Sequence, residues 1–238
     1  MTASQSVLAI ENYQDTPYGN VGRALEIAGV EVVKVRAFEG EPVPASVDGY
    51  AGLVVFGGGQ NALDDEGSPF LPRVCDLIRG FHQAERPVMG ICLGSQLIAR
   101  TFGGRNIIGR PIEFGWHDVT PTDTGRADPV FSALGDGAPL FHWHNDTFDL
   151  PPEAVHLATS RQTVNQGFRL GRSTYAFQFH FEAALPEVLD WSETFAGMIA
   201  SDTPDWTERL PVEAERHAAR SDATGKALAE AWTRLLGA

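Results

Sequence analysis

Pro87-Val88-Met89-Gly90-Ile91-Cys92-Leu93-Gly94-Ser95-Gln96-Leu97-Ile98-Ala99 decides how this chain folds. An apolar run enters, glycines bracket a cysteine, and a second apolar run leaves, which predicts strand, sharp turn and helix. Glycines at 90 and 94 let the backbone fold tightly without a clash of Cβ atoms. A thiol at such a turn is the cysteine relative of the G-x-S-x-G nucleophile elbow. The turn lifts the Cys92 sulfur off the sheet edge to a helix N-terminus, where exposed amides and the helix dipole favour thiolate over thiol. That is the chemistry a covalent hydrolase needs. The alternative reading is a buried cysteine in an ordinary strand-to-helix turn.

A second segment weighs toward chemistry. Tyr175-Ala176-Phe177-Gln178-Phe179-His180-Phe181-Glu182 alternates aromatics as a half-buried strand does. His180 and Glu182 are two positions apart, so an extended backbone points both side chains to one side. His180 can take the Cys92 proton while Glu182 holds the imidazole tautomer, which is the nucleophile, base and orienter logic of a triad. A lone histidine on an apolar strand is more often a core residue, but His-x-Glu paired with a cysteine elbow is poorly explained that way.

The third element is Gly57-Gly58-Gly59, directly after the buried-strand pattern Ala51-Gly52-Leu53-Val54-Val55-Phe56. Glycines there let backbone N–H groups approach a ligand, and with the Leu93 amide they form a candidate oxyanion hole. A flexible strand exit is the structural alternative. A phosphate-binding P-loop is excluded, because no Lys-Ser/Thr pair follows.

Together, GICLGSQ, FQFHFE and VVFGGG resemble the class I glutamine amidotransferase domain, in the form similar to the amidotransferase domain of GMP synthase. The resemblance runs from about Val7 to Ile199. It takes in Phe102-Gly103-Gly104, Glu113-Phe114-Gly115-Trp116, His144-Asn145-Asp146 and Leu150-Pro151. By position it implies Cys92 as nucleophile, His180 and Glu182 as its partners, and Gly58 and Leu93 as the oxyanion-hole amides. It places Gln96 and Asp146 at the amino-acid end of bound glutamine. Two departures stand out: Phe181 replaces the proline usual between the catalytic His and Glu, and Gly59 replaces one often found after the paired glycines. Both predict looser turns.

Composition fits one soluble intracellular domain with a C-terminal addition. A chain of 238 residues, 43% of them hydrophobic, can bury a sizeable core in a single α/β unit. Its net charge of −13 argues against nucleic-acid or anionic-membrane partners, which need clustered Lys and Arg. Two cysteines outside any C-x-x-C pair make no disulfide framework. Cys75 shares an apolar helix face with Leu71, Val74 and Ile78, so a core role is expected. The first residues carry no basic, apolar leader, and no run reaches transmembrane length, so a cytoplasmic setting is expected.

Along the chain strand and helix alternate, which predicts a doubly wound α/β fold, its sheet mostly parallel with helices on both faces in flavodoxin-like layering. Strands are expected at residues 7–10, 32–35 and 53–56. Val21, Ala24, Leu25 and Ala28 form a helix stripe ended by Gly29, and a second helix covers 71–81. After the elbow helix, residues 107–119, 140–143, 154–158 and 168–180 read as further strands, partly antiparallel. The loop Asp64–Pro69 is expected to border the site. Residues 1–200 form the main domain. Residues 201–238, with Leu228, Ala231, Trp232 and Leu235 at helical spacing, form a helical extension packed on it or facing a partner.

A rival site is His142-Trp143-His144-Asn145-Asp146, because alternate strand residues share a face and neutral imidazoles bind zinc. A metallohydrolase reading through His142, His144 and Asp146 wants another histidine after the aspartate, where Thr147 stands. His82, His117, His156 and His217 have no recognisable partners. The expected activity is therefore cysteine-dependent hydrolysis of the side-chain amide of glutamine or of a γ-glutamyl compound, through a γ-glutamyl thioester and without metal or cofactor. A synthetase or acceptor-domain subunit is a possible partner. A non-catalytic binding domain retaining the fold is the alternative of a different class.

Overall fold

Alternate residues of the first strands belong to opposite faces of one sheet, which is why those strands read as continuous apolar runs. The computed structural model describes residues 6–237. Within β1 (Ser6–Glu11), β3 (Gly52–Val55) and β4 (Val88–Ile91), Val7, Ala9, Val54, Met89 and Ile91 pack into one core. Leu8, Ile10, Leu53, Val55 and Val88 pack into another. The first core is covered by α1 (Gly19–Ile27) and the long C-terminal α7 (Trp206–Thr233). The second is covered by α2 (Leu71–Gln83) and α3 (Leu93–Thr101). Parallel strands buried on both faces and wrapped by crossover helices are the expected outcome of this pattern.

The nine-stranded sheet has the order β2-β1-β3-β4-β11-β10-β9-β6-β7. From β2 (Glu31–Arg36) through β1, β3 and β4 to β11 (Thr174–Phe177) all pairings are parallel. Beyond β11 the sheet continues antiparallel through β10 (Gly167–Leu170), β9 (Val155–Ser160), β6 (Glu113–Pro121) and β7 (Ala138–His144). Only β10 and β6 run against the other strands, so the sheet is mostly parallel with an antiparallel flank, as expected. β5 (Asn106–Ile107) and β8 (Thr147–Phe148) form a separate small ribbon. The short α4 (Asp123–Ala127) follows β6, capped by the Thr122 hydroxyl accepting from the Gly125 amide.

Three expectations need correction. The single strand expected over 168–180 is two strands, β10 and β11, parted by a turn at Gly171 with φ +54°. Strand pairing ends at Phe177 apart from one bridge between Phe141 and His180. Residues 177–182 are also buried on both sides, not half-buried. The Asp64–Pro69 loop packs away from the cavity, because Arg100 donates to both carboxylate oxygens of Asp65 at 2.6 Å.

Between β11 and α7 lie α5 (Leu185–Thr194) and α6 (Ala196–Asp202), so a boundary at residue 200 falls inside a helix. A third core of Phe114, Trp116, Phe141, Trp191, Ile199 and Trp206 joins these helices to β6 and β7. At the other end of α7, Trp232 is fully buried and its indole N–H donates to the Val88 carbonyl at 3.3 Å.

Candidate active site

The chain leaves β1 toward β2 on one side and β3 on the other, and this switch point at the carboxyl ends of the strands is where α/β sheets open a ligand crevice. A cavity of about 260 Å³ lies there. It is lined by the segments that follow β1, β3, β4, β7 and β11.

Cys92 occupies the turn between β4 and α3. Its φ of +50° and ψ of −109° lie where L-residues rarely go, the backbone signature of an elbow. The bracketing glycines are required by close approach. A Cβ on Gly94 would stand 2.0 Å from the Val55 carbonyl oxygen, and one on Gly90 would stand 2.5 Å from that of Gly94. The Cys92 amide donates to the Phe177 carbonyl at 2.8 Å, tying the elbow to the end of β11. The thiol reaches the Trp143 carbonyl at 3.7 Å.

His180 and Glu182 come together with Cys92. His180 Nδ1 and Glu182 Oε1 are 2.6 Å apart, which leaves Nε2 for the far side of the ring. Gly57 lies between the imidazole and the thiol, since a Cβ there would meet His180 Cε1 at 3.2 Å and Cys92 Cβ at 3.5 Å. Burial alone pushes the His180 imidazole down, but the Glu182 carboxylate and the Cys92 sulfur more than reverse this. The pKa is pushed up to about 10.

Without proline, the turn between His180 and Glu182 is held from outside. Asn20 donates its side-chain amide to the Phe181 carbonyl at 3.1 Å and its backbone amide to that of Glu182 at 2.8 Å. The Phe181 ring packs against Phe177 at 4.6 Å. α7 approaches so closely that a Cβ on Gly225 would lie 2.2 Å from the Phe181 oxygen. The glycine run is held in the same way. Asn12 donates to the Phe56 carbonyl at 2.7 Å, and Gln60 donates to that of Asn12 at 3.0 Å. Gly58 sits directly over Leu93, whose Cδ2 would be 2.8 Å from an added Cβ. Both turns expected to be loose are pinned by asparagines, residues that no local sequence pattern singles out.

Gln96 and Asp146 meet at the opposite wall. Gln96 donates to the Asp146 carbonyl at 3.3 Å and to Gln178 Oε1 at 3.2 Å, while Asp146 Oδ1 accepts from the Gly109 amide at 2.8 Å. This arrangement separates Asp146 from the rival metal set. The residues that converge with His142 and His144 are not Asp146 but Glu113, with ligand atoms within 4.8 Å of one another. His144 Nε2 is 3.2 Å from Glu113 Oε2, and its Nδ1 is turned to the Asp146 backbone oxygen at 3.0 Å. Glu113 also accepts from the Ser160 hydroxyl at 2.8 Å and from the Gln166 amide at 3.0 Å. Burial works to raise the Glu113 carboxyl, yet His144, His142 and Ser160 together lower it to about 2. Burial, with His144 beside it, drives His142 well below its usual range, so it is a neutral ring.

The mouth of the cavity is aromatic, a feature absent from the sequence-based expectations. Trp143 stands 5.8 Å from Trp191 and 5.6 Å from Phe195, and Tyr13 stands 6.1 Å from Phe195, centroid to centroid. The edge of Trp191 abuts the His180 ring at 5.1 Å.

A family model for glutamine amidotransferase class-I matches residues 9–188. The chain belongs to the class I glutamine amidotransferase family. A glutamine amidotransferase-like protein, YfeJ, of Salmonella typhimurium is 34% identical over 166 residues, covering 68% of this chain and 70% of the relative. A subunit of the glutamine-hydrolyzing GMP synthase of Thermoplasma acidophilum is 31% identical, covering 66% of this chain and 76% of its own length. Against the GMP synthase of Carboxydothermus hydrogenoformans, 30% identical, the match takes 70% of this chain but only 31% of the relative. A crystal structure of a glutamine amidotransferase from Thermotoga maritima superposes with a TM-score of 0.87 at 26% identity, covering 98% of this chain and 99% of that one. One from Methylobacillus flagellatus reaches 0.84, also at 26% identity, covering 98% and 96%.

Proposed function

We propose that this protein is a cysteine-dependent amidohydrolase acting on the side-chain amide of glutamine or of a γ-glutamyl compound. The observation that carries this reading is the meeting of the Cys92 elbow, the His180–Glu182 pair and the glycine run at one cavity. Proton transfer from Cys92 to His180 yields the thiolate, which attacks the γ-carbonyl carbon. The oxyanion is met by the backbone amides of Gly58 and Leu93. His180, oriented by Glu182, protonates the departing amine as the C–N bond breaks, leaving a γ-glutamyl thioester. Water, deprotonated by the same imidazole, then releases glutamate and restores the thiol. Asp146 faces the substrate ammonium group, with Gln96 holding the Asp146 backbone in place. No step requires the Glu113–His142–His144 cluster.

Both cysteines are free thiols, which suits a reducing cytoplasm. Relatives that are GMP synthase subunits support a synthetase as a partner that would consume the ammonia. The deciding experiment measures ammonia and glutamate release from glutamine and γ-glutamyl dipeptides by pure protein, with and without cell extract. Turnover by wild type that vanishes in Cys92→Ala supports the reading, and activity only with extract points to a partner subunit. Silence with every donor, together with an unreactive Cys92, would replace it with a binding domain.

A further inference from the structure

The cavity changes character along its depth. At its inner end Cys92, His180, Gln96 and Asp146 are all buried. Its outer end is walled by Tyr13, Trp143 and Phe195, which are half-buried, and by Met198, which is 47% exposed. The rim carries two exposed carboxylates, Asp15 on the segment after β1 and Asp202 at the end of α6. Among the described lining residues there is no lysine or arginine. The protein's net charge of −13 adds to this negative bias.

Every γ-glutamyl substrate carries the same α-amino and α-carboxylate groups, so candidates differ only in the amine that leaves. Cys92 divides the cavity between the two parts. The γ-glutamyl group takes the inner wall at Gln96 and Asp146, and the amine part is left facing the aromatic mouth. A leaving amine that bears its own carboxylate, as in any γ-glutamyl dipeptide, would bring an anion among aromatic faces and acids with no cation to pair it. An unpaired, partly desolvated charge is a strong discriminator. An alkyl, aromatic or cationic amine meets the opposite situation, because apolar carbon is buried against the rings and an ammonium is drawn to their faces and to the rim carboxylates. A volume of about 260 Å³ falls below the usual range for drug-sized ligands, so the amine is small.

Resting on the γ-glutamyl chemistry proposed above, we infer that this enzyme is selective for γ-glutamyl amides of small amines that carry no carboxylate. Hydrolysis consumes one water, breaks the γ-amide C–N bond and releases glutamate and the protonated amine. In metabolic terms, the substrate would come from a reaction class that ligates glutamate through its γ-carboxyl to a primary amine.

Matched pairs that differ only by the carboxylate test this. γ-Glutamyl-phenethylamide is compared with γ-glutamylphenylalanine, and γ-glutamyl-isopentylamide with γ-glutamylleucine, by kcat/KM for glutamate release, with glutamine as reference. The amide member should be preferred by roughly tenfold or more, and Asp202→Lys should narrow the gap by improving the dipeptides. Normal glutamine hydrolysis with equal rates within each pair, or preference for the dipeptide, overturns the inference while leaving the proposed function intact. If glutamine and all four compounds resist turnover, the proposed function has failed. The selectivity is then read by calorimetric binding to Cys92→Ala, where tighter binding of the amide upholds it and equal or absent binding overturns it.

Discussion

Two buried histidine–carboxylate clusters are built from the same residue types and differ in what they face. In one, His180 bonds Glu182 and faces a thiol across a cavity, and the imidazole is pushed up to about 10. In the other, Glu113 gathers His142, His144, Ser160 and Gln166, its carboxyl held at about 2 while His142 goes down. The first carboxylate has Oε2 left without a hydrogen-bond partner and serves one ring, whereas both oxygens of the second are occupied. A histidine beside a glutamate is therefore not a signature of chemistry. On the function proposed above, what separates the two is that a thiol stands on the free side of the His180 ring.

Breaking each cluster should separate the two roles. His180→Asn is expected to lower kcat by about 10²–10⁴-fold, because proton transfer to the leaving amine is lost. Circular dichroism should show its fold unchanged. Glu113→Ala should do the reverse. Ser160, Gln166 and His144 lose their common partner, which costs about 3 kcal/mol for a buried carboxylate cluster and lowers the melting temperature by on the order of 10 °C in a chain of this size. Activity per folded molecule should stay within severalfold of wild type. Stoichiometric bound metal, with activity that survives Cys92→Ala but not Glu113→Ala, would exchange the two assignments.

pH sharpens the same contrast, because the two clusters fail at opposite ends of the scale. The folded Glu113 carboxyl is depressed below its ordinary 4.5, so its contribution is present above that value and is lost as pH falls toward about 2. The folded His180 imidazole is raised above its ordinary 6.5, so its contribution is complete below that value and is lost as pH rises toward about 10. Urea denaturation should show Glu113→Gln with a flatter acid limb than wild type and His180→Asn with a flatter alkaline limb. Parallel limbs in either comparison would remove that cluster from the pH response.

The smallest effect expected concerns the thiols. Cys92 and Cys75 are almost equally buried, at 6% and 7% exposure, but only Cys92 opens on a cavity, and burial among α2 and α3 pushes the Cys75 thiol up. Limited iodoacetamide treatment near neutral pH, mapped by mass spectrometry, should therefore label Cys92 first. Equal labelling would place the two sulfurs in equivalent settings.

What could be read from the sequence was local. The elbow rests on two glycines within two residues of the cysteine, and His180 and Glu182 stand two positions apart, so both were visible in short windows, although the backbone joining the pair is a bend and not the expected strand. The partner of His144 was not. It is Glu113, brought opposite by the antiparallel register of β6 and β7, and nothing in either segment states that register. The antiparallel flank hid a turn as well, since Gly171 divides a run that reads as one strand. For α5 and α6 the signal is present in the sequence. Val188, Trp191, Phe195 and Ile199 recur at helical spacing, and Glu187 bonds back to the Ala184 amide at 2.9 Å. Those helices and the residue between them contribute Trp191, Phe195 and Met198 to the cavity wall.

The left-handed φ of Cys92 sets the fold against the role proposed for that residue. Holding a side chain in such a conformation costs on the order of 1–3 kcal/mol, and glycine would relieve most of it. If Cys92 is the nucleophile proposed above, the substitution that best stabilises this turn is the one that abolishes turnover, so screening variants for thermal robustness alone would drive the protein toward an inert scaffold. Any engineering of this chain has to select for turnover and melting temperature together, with the elbow left untouched.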